Sequence, residues 1–392
     1  MLRLANQTQD YAWGSPDAIP VMLGSPATSD PVAELWMGAH PSAPSRAITD
    51  TGPVRLDDLV RDDPERMLGS AVHARFGPAL PYLLKVIAAD APLSLQVHPR
   101  SDQAEAGFEA EEAAGVPIDS PDRSYKDRNH KPELLYALTP FEALCGFRPP
   151  LEAAELLAGL DAPLAHSLRA VLESSGGIRA AVIRLLDGAQ RPSSDEVDAV
   201  VLACLARPES AVDPDAYRTV ALLAEAYPGD PGVVMSLLLN HLTLRPGDAL
   251  FVPAGAVHSY LQGVGIEIQS SSDNVLRAGL TPKHLAIPEL LATIDCTSGP
   301  PHRIVPEAVS GSLVFRAPVD DFELSVTTLD DDAGHTLPGT GPRILLCLDG
   351  ELTVASDEEG LVLGRGATAF VPAALGALTV SGHGTLIQAD VP

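Results

Sequence analysis

Residues 245–283 restrict the possible folds of this chain more than any other segment. They contain a short apolar run, Ala249–Val252, which is closed by Pro253 and Gly255 and followed at once by His258. Proline stiffens such a turn and glycine permits it, so the pattern predicts two strands joined by a tight turn. His258 is then held at a fixed point on the second strand, where an imidazole is well placed to bind a metal ion.

The turn occurs twice in the chain. Residues 247–255 and 366–374 share a Gly-x5-Pro spacing within similar apolar sequences. Eleven residues after the glycine, the first copy has His258 and the second has Ala377. The repeat therefore predicts two barrels of common ancestry, only one of which carries a metal ligand.

The chain has 392 residues, which is more than one domain with a single hydrophobic core usually contains. Two kinds of hydrophobic periodicity divide the rest of its sequence. Apolar residues recur at helical spacing between about residues 150 and 231, and short strand-like runs lie on both sides of this block. We therefore predict a mainly β protein with a helical insertion, made of two jelly-roll β-barrels plus an α-helical domain. The predicted domains are a first barrel at 1–150 and 236–300, an insertion at 151–235 and a C-terminal barrel without metal ligands at 301–392.

Polar side chains interrupt two of the predicted strands before the insertion. Ser94, Gln96 and His98 alternate with aliphatic residues, so a period of two places them on one face, toward a cavity or solvent. Glu133 follows Pro132 at the beginning of an apolar strand. A carboxylate in that position is usually compensated by a cation.

Gln96, His98, Glu133 and His258 together form a candidate metal site. They come from three separate β segments, which a small antiparallel barrel can bring side by side at its mouth. Nitrogen and oxygen donors of this kind suit Zn²⁺, at bond lengths of about 2.0–2.2 Å, and Fe²⁺ or Mn²⁺ is also chemically admissible.

The formal net charge of -26 argues against nucleic-acid or anionic-membrane partners, because their phosphate groups would be repelled. No apolar run approaches the length of a membrane span, and the first residues lack the apolar core of a signal peptide. The four cysteines are widely spaced and form no Cys-x-x-Cys pair, which fits a reducing compartment. We therefore expect a cytoplasmic protein.

Lysine is rare in this chain. Only four of the 26 basic residues are lysine: Lys85, Lys126, Lys131 and Lys283. An ammonium group is compact and movable, so a lysine in an arginine-rich chain can mark a position that guanidinium does not fill. All four fall near the candidate site, although Lys126 is best interpreted as a surface charge.

The spacing Gly-x5-Pro-x-Gly-x2-His resembles the second cupin motif. Segments between about residues 5 and 285 are similar to those of type I mannose-6-phosphate isomerases: Tyr-Ala-Trp-Gly, Glu-Leu-Trp-Met-Gly, Leu-Ser-Leu-Gln-Val-His-Pro, Asn-His-Lys-Pro-Glu-Leu, Phe-Glu-Ala-Leu-Cys-Gly-Phe-Arg and Ser-Asp-Asn-Val-Leu-Arg-Ala-Gly-Leu-Thr-Pro-Lys. The resemblance implies two cupin-like barrels and an isomerase with one Zn²⁺ per chain. Such an enzyme interconverts mannose 6-phosphate and fructose 6-phosphate and serves GDP-mannose precursor synthesis.

The resemblance also implies roles for individual residues. The zinc ligands are Gln96, His98, Glu133 and His258, and the active-site positions are Lys131, Glu267 and Arg277. The predicted substrate-binding residues are Ser94, Lys85, Tyr260, Lys283 and Asp273.

The chemistry of such an isomerisation can be considered apart from the resemblance. Moving a carbonyl between C1 and C2 of a sugar needs a base for the proton next to the carbonyl and stabilisation of the negative charge on oxygen. A metal lowers this barrier by polarising the substrate oxygens or by ordering a water and the pocket around them. Glu267 is the first candidate for the base, and Asp273 and His130 are alternatives. Pairing of Glu267 with Arg277 would instead be structural.

Cations are needed for the phosphate group as well. Arg277 offers a bidentate fork, and Lys283 or Lys85 offers a point charge. Arg277 can alternatively stabilise the enediolate, and Lys131 can protonate or orient the sugar oxygens.

Two other functions are compatible with the same donors. One is a cupin oxygenase that uses Fe²⁺ and dioxygen, and the other is a non-catalytic cupin that binds a sugar phosphate. In each case we expect a monomer whose partner is a small molecule.

Overall fold

The structure is a computed structural model that describes residues 1–208, 211–283 and 285–392, apart from the side chains of residues 331 and 332. It is mainly β, with two large antiparallel sheets and a block of helices, which confirms the predicted fold class.

The strands within these residues are numbered in chain order. They are β1 (Leu2–Ala5), β2 (Gln7–Gln9), β3 (Glu34–Gly38), β4 (Arg46–Thr49), β5 (Gly52–Arg55), β6 (Tyr82–Ala89), β7 (Leu95–Val97), β8 (Glu133–Ala137), β9 (Phe141–Phe147), β10 (Leu239–Leu244), β11 (Ala249–Val252), β12 (His258–Ser270), β13 (Leu276–Gly279), β14 (His302–Ile304), β15 (Glu307–Val309), β16 (Ser312–Phe315), β17 (Glu323–Thr336), β18 (Arg343–Ala355), β19 (Gly360–Gly364), β20 (Thr368–Val371) and β21 (Thr379–Asp390).

The helices of the described chain follow the same order. They are α1 (Ala18–Met22), α2 (Leu56–Asp62), α3 (Pro64–Leu68), α4 (Ser70–Phe76), α5 (Ser101–Ala113), α6 (Pro150–Ala158), α7 (Pro163–Leu172), α8 (Gly177–Leu186), α9 (Ser194–Leu205), α10 (Pro214–Ala226), α11 (Pro231–Met235) and α12 (Ile287–Thr293). None of these helices combines the length and the apolar character needed to cross a bilayer.

The predicted turn between two strands is present. β11 ends at Val252, and β12 begins at His258. Between them Gly255 has a φ of 85°, in the left-handed region that favours glycine. The turn therefore fixes the point at which the His258 side chain enters the barrel.

β12 is the strand that assembles the first barrel. It pairs with β7, β6 and β8, and these pairings place His258 opposite Gln96, Glu267 opposite Lys85, and Gln269 opposite Glu133. Directly paired residues of antiparallel strands point to the same face of the sheet. One long strand thus gathers chemically active residues that are far apart in sequence.

Helices α6–α11 form the block predicted between residues 151 and 235. Several of them begin with proline, which is preorganised for the first helical position, and Ser193 and Asp213 cap α9 and α10. Their apolar faces share one hydrophobic core with Leu95 and Val97 of β7. The helices therefore cover the aliphatic face of β7 and leave its polar face, which carries Gln96, for the barrel interior.

The second copy of the repeat occupies the matching place in the second sheet. In the first barrel, Val252 of β11 pairs with Glu133; in the second, Val371 of β20 pairs with Arg343. The two valines occupy equivalent positions of the repeat, so a buried guanidinium stands where the first barrel has a carboxylate. Arg343 donates hydrogen bonds to the carbonyls of Gly339 and Gly376.

The N-terminal strands were assigned to the first barrel by the predicted boundaries. In the structure β1 pairs with β20, and β4 pairs with β1 and β5, so these three strands extend the C-terminal sheet. The boundaries at 150, 235 and 300 remain predictions, and strand pairing adds residues 2–5 and 46–55 to the sheet of the last domain.

Candidate metal centre

His98, Glu133 and His258 converge at the mouth of the first barrel. Their nearest ligand atoms all lie within 4.8 Å of one another, and the three residues are buried. The distance from Glu133 Oε1 to His98 Nε2 is 3.2 Å, and that from Glu133 Oε2 to His258 Nε2 is 3.4 Å. Ligand atoms of tetrahedral zinc, with bonds of about 2.0–2.1 Å, are separated by about 3.4 Å, so the cluster has the dimensions of a zinc site.

Hydrogen bonds fix both imidazole rings. His98 Nδ1 lies 2.8 Å from the carbonyl of Asn274, and His258 Nδ1 lies 3.0 Å from the carbonyl of Ala256. Because a carbonyl only accepts, each Nδ1 carries the proton and each Nε2 presents a lone pair to Glu133.

Nε2 of each histidine and the carboxylate oxygens of Glu133 are all hydrogen-bond acceptors, and they lie 3.2–3.4 Å apart. Acceptors this close to one another need a cation between them. Nε2 of His98 is fully buried and has no hydrogen-bond partner, although Glu133 Oε1 is 3.2 Å away. A buried polar atom without a partner is costly unless an ion or water satisfies it. The orphaned nitrogen and the donor set both fit a divalent metal.

The protonation of the cluster also suits a metal. Burial lowers the pKa of His98 to about 4, although Glu133 opposes this, so the ring is neutral near pH 7. Burial by itself raises the pKa of Glu133, but Lys131 and His98 outweigh it and hold that pKa well below its usual range. Neutral imidazoles and an ionised carboxylate are the forms that ligate metals.

Gln96 is the fourth predicted ligand. It lines the same cavity as Glu133 and His258 and is paired with His258 across the strands. The structure therefore brings Gln96 to the same cavity as Glu133 and His258, next to His258 across the strands.

Lys85 and Glu267 form a buried ion pair beside the cluster. Lys85 Nζ lies 3.1 Å from Glu267 Oε2 and 3.8 Å from Glu34 Oε1. Burial lowers the pKa of Lys85, but the carboxylates Glu34 and Glu267 outweigh it and raise the pKa overall. The alternative pairing of Glu267 with Arg277 is wrong, because Lys85 is the cation that contacts Glu267.

Glu267 is less acidic than an ordinary glutamate. Burial, followed by the neighbouring charge of Glu133, raises its pKa, and Lys85 opposes the rise. The hydroxyl of Tyr260 is buried without a hydrogen-bond partner, and Tyr260 lines the same cavity.

The charges of the cavity favour a dication. Its lining includes the carboxylates of Glu34, Glu133 and Glu267 and the ammonium groups of Lys85 and Lys131. Three carboxylates and two ammonium groups leave one net negative charge, which a divalent ion converts to one positive charge. The occupied cavity thus suits an anionic substrate despite the acidity of the whole chain.

A second cationic area lies next to the cavity. Arg277 of β13 is paired with Gln96, so its side chain lies on the cavity face of the sheet. Lys283 is exposed, and the charge of Arg277, followed by burial, lowers its pKa. Within the described residues, neither cation forms an ion pair with a carboxylate.

Ser94, Asp273 and His130 are the remaining candidate residues. Ser94 is half-buried just before β7. Asp273 accepts a hydrogen bond from Ser42 at 2.8 Å, and its side chain is 39% exposed. His130 Nε2 lies 3.0 Å from Asp321 Oδ1, which occupies that ring nitrogen.

Glu34 is the functional candidate that sequence reasoning missed. Its carboxylate lies in the cavity and accepts a 2.6 Å hydrogen bond from Trp36 Nε1. The missed signal is the one that identified Glu133: a carboxylate at the beginning of an otherwise apolar strand.

Comparison with known proteins gives consistent matches over the chain. The family model "Phosphomannose isomerase type I, catalytic domain" matches residues 1–150, and "Mannose-6-phosphate isomerase, cupin domain" matches residues 312–391. The mannose-6-phosphate isomerase of Escherichia coli is 41% identical over 396 residues, which cover 99% of each chain. That of Bos taurus is 30% identical, with 93% of this chain and 92% of the relative covered.

Solved structures agree with these matches. A variant of phosphomannose isomerase from Salmonella typhimurium superposes with a TM-score of 0.91 at 38% identity, covering 100% of this chain and 99% of the other. A zinc-bound mannose 6-phosphate isomerase superposes with a TM-score of 0.90 at 39% identity and the same coverage.

Proposed function

The chain belongs to the type I mannose-6-phosphate isomerase family, and from this membership we propose how its own residues carry out the reaction. It is a zinc-dependent isomerase that interconverts D-mannose 6-phosphate and D-fructose 6-phosphate. The proposal for the residues rests on one observation: Glu133 and His258, two members of the three-residue metal cluster, line the same cavity as a buried lysine–glutamate pair.

The metal ligands in this proposal are Gln96, His98, Glu133 and His258, whose nitrogen and oxygen donors fit Zn²⁺. Bound there, the ion supplies a Lewis acid for the oxygens of the open-chain sugar or for a water beside them.

Glu267 is the proposed base. Its raised pKa brings the carboxylate closer to the proton affinity that a general base needs near neutral pH. It takes the proton from C2 while O1 gains a proton, which gives the enediol, and it then returns the carbon-bound proton to C1 while the hydroxyl on C2 loses its proton, which gives the ketose. Lys85, held 3.1 Å away, keeps an ammonium group beside the carboxylate through both steps.

The other two candidates for the base are less suitable. His130 is engaged by Asp321, and Asp273 is bound to Ser42 at a partly exposed position. Glu267 is 3% exposed, and this burial removes most of the solvation of the carboxylate that takes the proton.

Two groups are suited to the negative charge that develops on oxygen. Lys131 Nζ lies 3.1 Å from Glu133 Oε1, on the wall of the cavity, and can donate to a substrate oxygen there. The hydroxyl of Tyr260 lies near Glu267 in the same cavity and can donate to a sugar oxygen there. These preorganised donors stabilise the enediolate relative to the bound sugar.

Lys283 and Arg277 are proposed to bind the phosphate group. Ser94 is proposed to contact the part of the sugar that lies between these two cations and the metal. Both cations lack carboxylate partners within the described residues, whereas Lys85 is already compensated by Glu34 and Glu267. Arg277 is paired with Gln96, which puts it between the proposed phosphate position and the cavity. Its guanidinium group can therefore also reach the enediolate. Loss of a phosphate contact raises KM, whereas loss of an enediolate contact lowers kcat.

We also propose that the enzyme acts as a cytoplasmic monomer that supplies a precursor of GDP-mannose. One chain contributes every residue named above, and its four cysteines are all free, which suits a reducing compartment.

The test is the formation of fructose 6-phosphate from mannose 6-phosphate before chelation, after chelation and after zinc is added back. We expect activity to disappear with zinc and to return with it, together with exchange of the C2 proton with solvent. Oxygen uptake dependent on Fe²⁺ would indicate the oxygenase alternative. Binding of the sugar phosphate without C2 exchange would indicate the non-catalytic one.

A further inference from the structure

Asn274 connects two of the proposed metal ligands. Its backbone carbonyl accepts the 2.8 Å hydrogen bond from Nδ1 of His98. Its side chain is fully buried and binds the loop that leads through Lys131 to Glu133. One residue thus touches His98 directly and the strand that carries Glu133 through its preceding loop.

The contacts of the Asn274 amide use both of its ends. Oδ1 accepts from the backbone N–H of Lys126 at 2.7 Å and of Asp127 at 3.3 Å. Nδ2 donates to the carbonyls of Asp127 at 2.8 Å and Asn129 at 2.9 Å, and it lies 3.2 Å from Asp127 Oδ1. These bonds hold residues 126–129 against the connection between β12 and β13 that carries Asn274.

Asp127 and Ser272 complete this arrangement. Asp127 Oδ2 accepts from the backbone N–H of Asp273 at 2.8 Å, and Asp127 Oδ1 accepts from Ser272 Oγ at 2.8 Å. Ser272 Oγ in turn accepts from the backbone N–H of Asn274 at 3.1 Å. We call Asn274, Asp127 and Ser272 the Asn274 network.

We propose that Asn274 is a positioning residue for the zinc site: through the Asn274 network it sets the separation and orientation of His98 relative to Glu133. The proposal rests on the proposed function for the identity of the metal. Because the backbone carbonyl of Asn274 fixes the tautomer and direction of His98, a change that displaces this carbonyl should weaken metal binding by about 10- to 100-fold.

The test measures zinc affinity by competition with a chelator, independently of turnover. Asn274→Asp keeps the size of the side chain but replaces a double donor with a carboxylate facing the Asp127 and Asn129 oxygens. We expect the zinc dissociation constant to rise about 10- to 100-fold. In the cobalt(II)-substituted protein we also expect an altered d–d absorption spectrum, which reports ligand geometry.

Asn240→Asp is the matched control. Asn240 Nδ2 also donates to three backbone carbonyls, those of Cys145 and Gly146 at 3.1 Å and that of Gly299 at 2.9 Å, and it contacts none of the four ligand side chains. We expect this variant to bind zinc within about threefold of the original protein and to keep the cobalt spectrum. Equal loss of zinc affinity in both variants would mean general loosening and would overturn the proposal.

Ser272→Ala provides a milder perturbation in case Asn274→Asp does not fold. It removes the hydroxyl between Asp127 and Asn274 and should weaken zinc binding in the same direction by a smaller factor. Unchanged affinity and spectrum in the folded variants of the Asn274 network would refute the positioning role. A wild-type protein that binds zinc but does not isomerise mannose 6-phosphate would refute the proposed function alone.

Discussion

Replacement of Glu267 by glutamine tests the assignment of the base. The substitution keeps the shape of the side chain and removes the ability to take a proton. Lys85 still has the carboxylate of Glu34 at 3.8 Å, and the new amide oxygen can still accept a hydrogen bond from Lys85 Nζ. The free energy of unfolding should therefore fall by only about 1–2 kcal/mol. Glu267 is not one of the converging ligands, so we expect zinc to remain.

The effect on catalysis should be far larger than the effect on stability. General base catalysis contributes about 10²- to 10⁴-fold, equivalent to about 3–5 kcal/mol at about 1.4 kcal/mol per tenfold. The assay is kcat for fructose 6-phosphate formation at saturating zinc, with zinc content measured on the same sample. For the original enzyme, activity should rise with pH as Glu267 ionises, at a pH above the usual range of glutamate because burial raises its pKa.

Glu34→Gln distinguishes a base from a counter-ion, because Glu34 is the second carboxylate next to Lys85. If Glu267 only compensates Lys85, both variants should lose similar amounts of kcat. We expect the loss to be much smaller for Glu34→Gln. A near-normal kcat in Glu267→Gln, with zinc bound, would refute the assignment.

Three further predictions concern the metal, the phosphate and the second barrel. His98→Ala removes the ligand with the orphaned Nε2 and should leave the purified protein nearly free of zinc by atomic absorption; full occupancy would contradict the site. Lys283→Met should raise KM for mannose 6-phosphate about tenfold, equivalent to about 1.4 kcal/mol, with kcat nearly unchanged. A fall in kcat at constant KM would argue against a phosphate contact. Burial raises the pKa of Asp390 from its usual 3.8 to about 7, despite hydrogen bonding from Val391 and attraction by Arg343. The folded protein therefore binds this proton more tightly than the unfolded one, so stability is lost as pH rises from about 4 through about 7, by up to about 4 kcal/mol. Asp390→Asn should accordingly raise Tm at pH 8 but not at pH 4, and equal shifts at both would contradict this.

Local patterns predicted which residues meet in the candidate metal centre. The alternation around Gln96 and His98 and the proline before Glu133 determine which way these side chains point, and a strand period of two preserves that information in the sequence. The turn before His258 could also be predicted from the sequence, because proline stiffens such a turn and glycine permits it.

Contacts between distant strands were beyond such patterns. Lys85 and Glu267 are separated by 182 residues, and their pairing depends on the register of β6 against β12. A shift of one residue would have turned either side chain to the opposite face, and nothing local excludes that shift. The participation of β1 in the C-terminal sheet was missed for the same reason.

The two barrels differ in the source of their buried cation, because the second barrel uses the guanidinium group of Arg343. In the first barrel the central cation is exchangeable, so a chelator can remove it. In the second, Arg343 is part of the chain, and it reaches the carbonyl of Gly376, the residue before Ala377, the counterpart of His258. Metal depletion should therefore inactivate the enzyme without removing the buried cation of the second barrel.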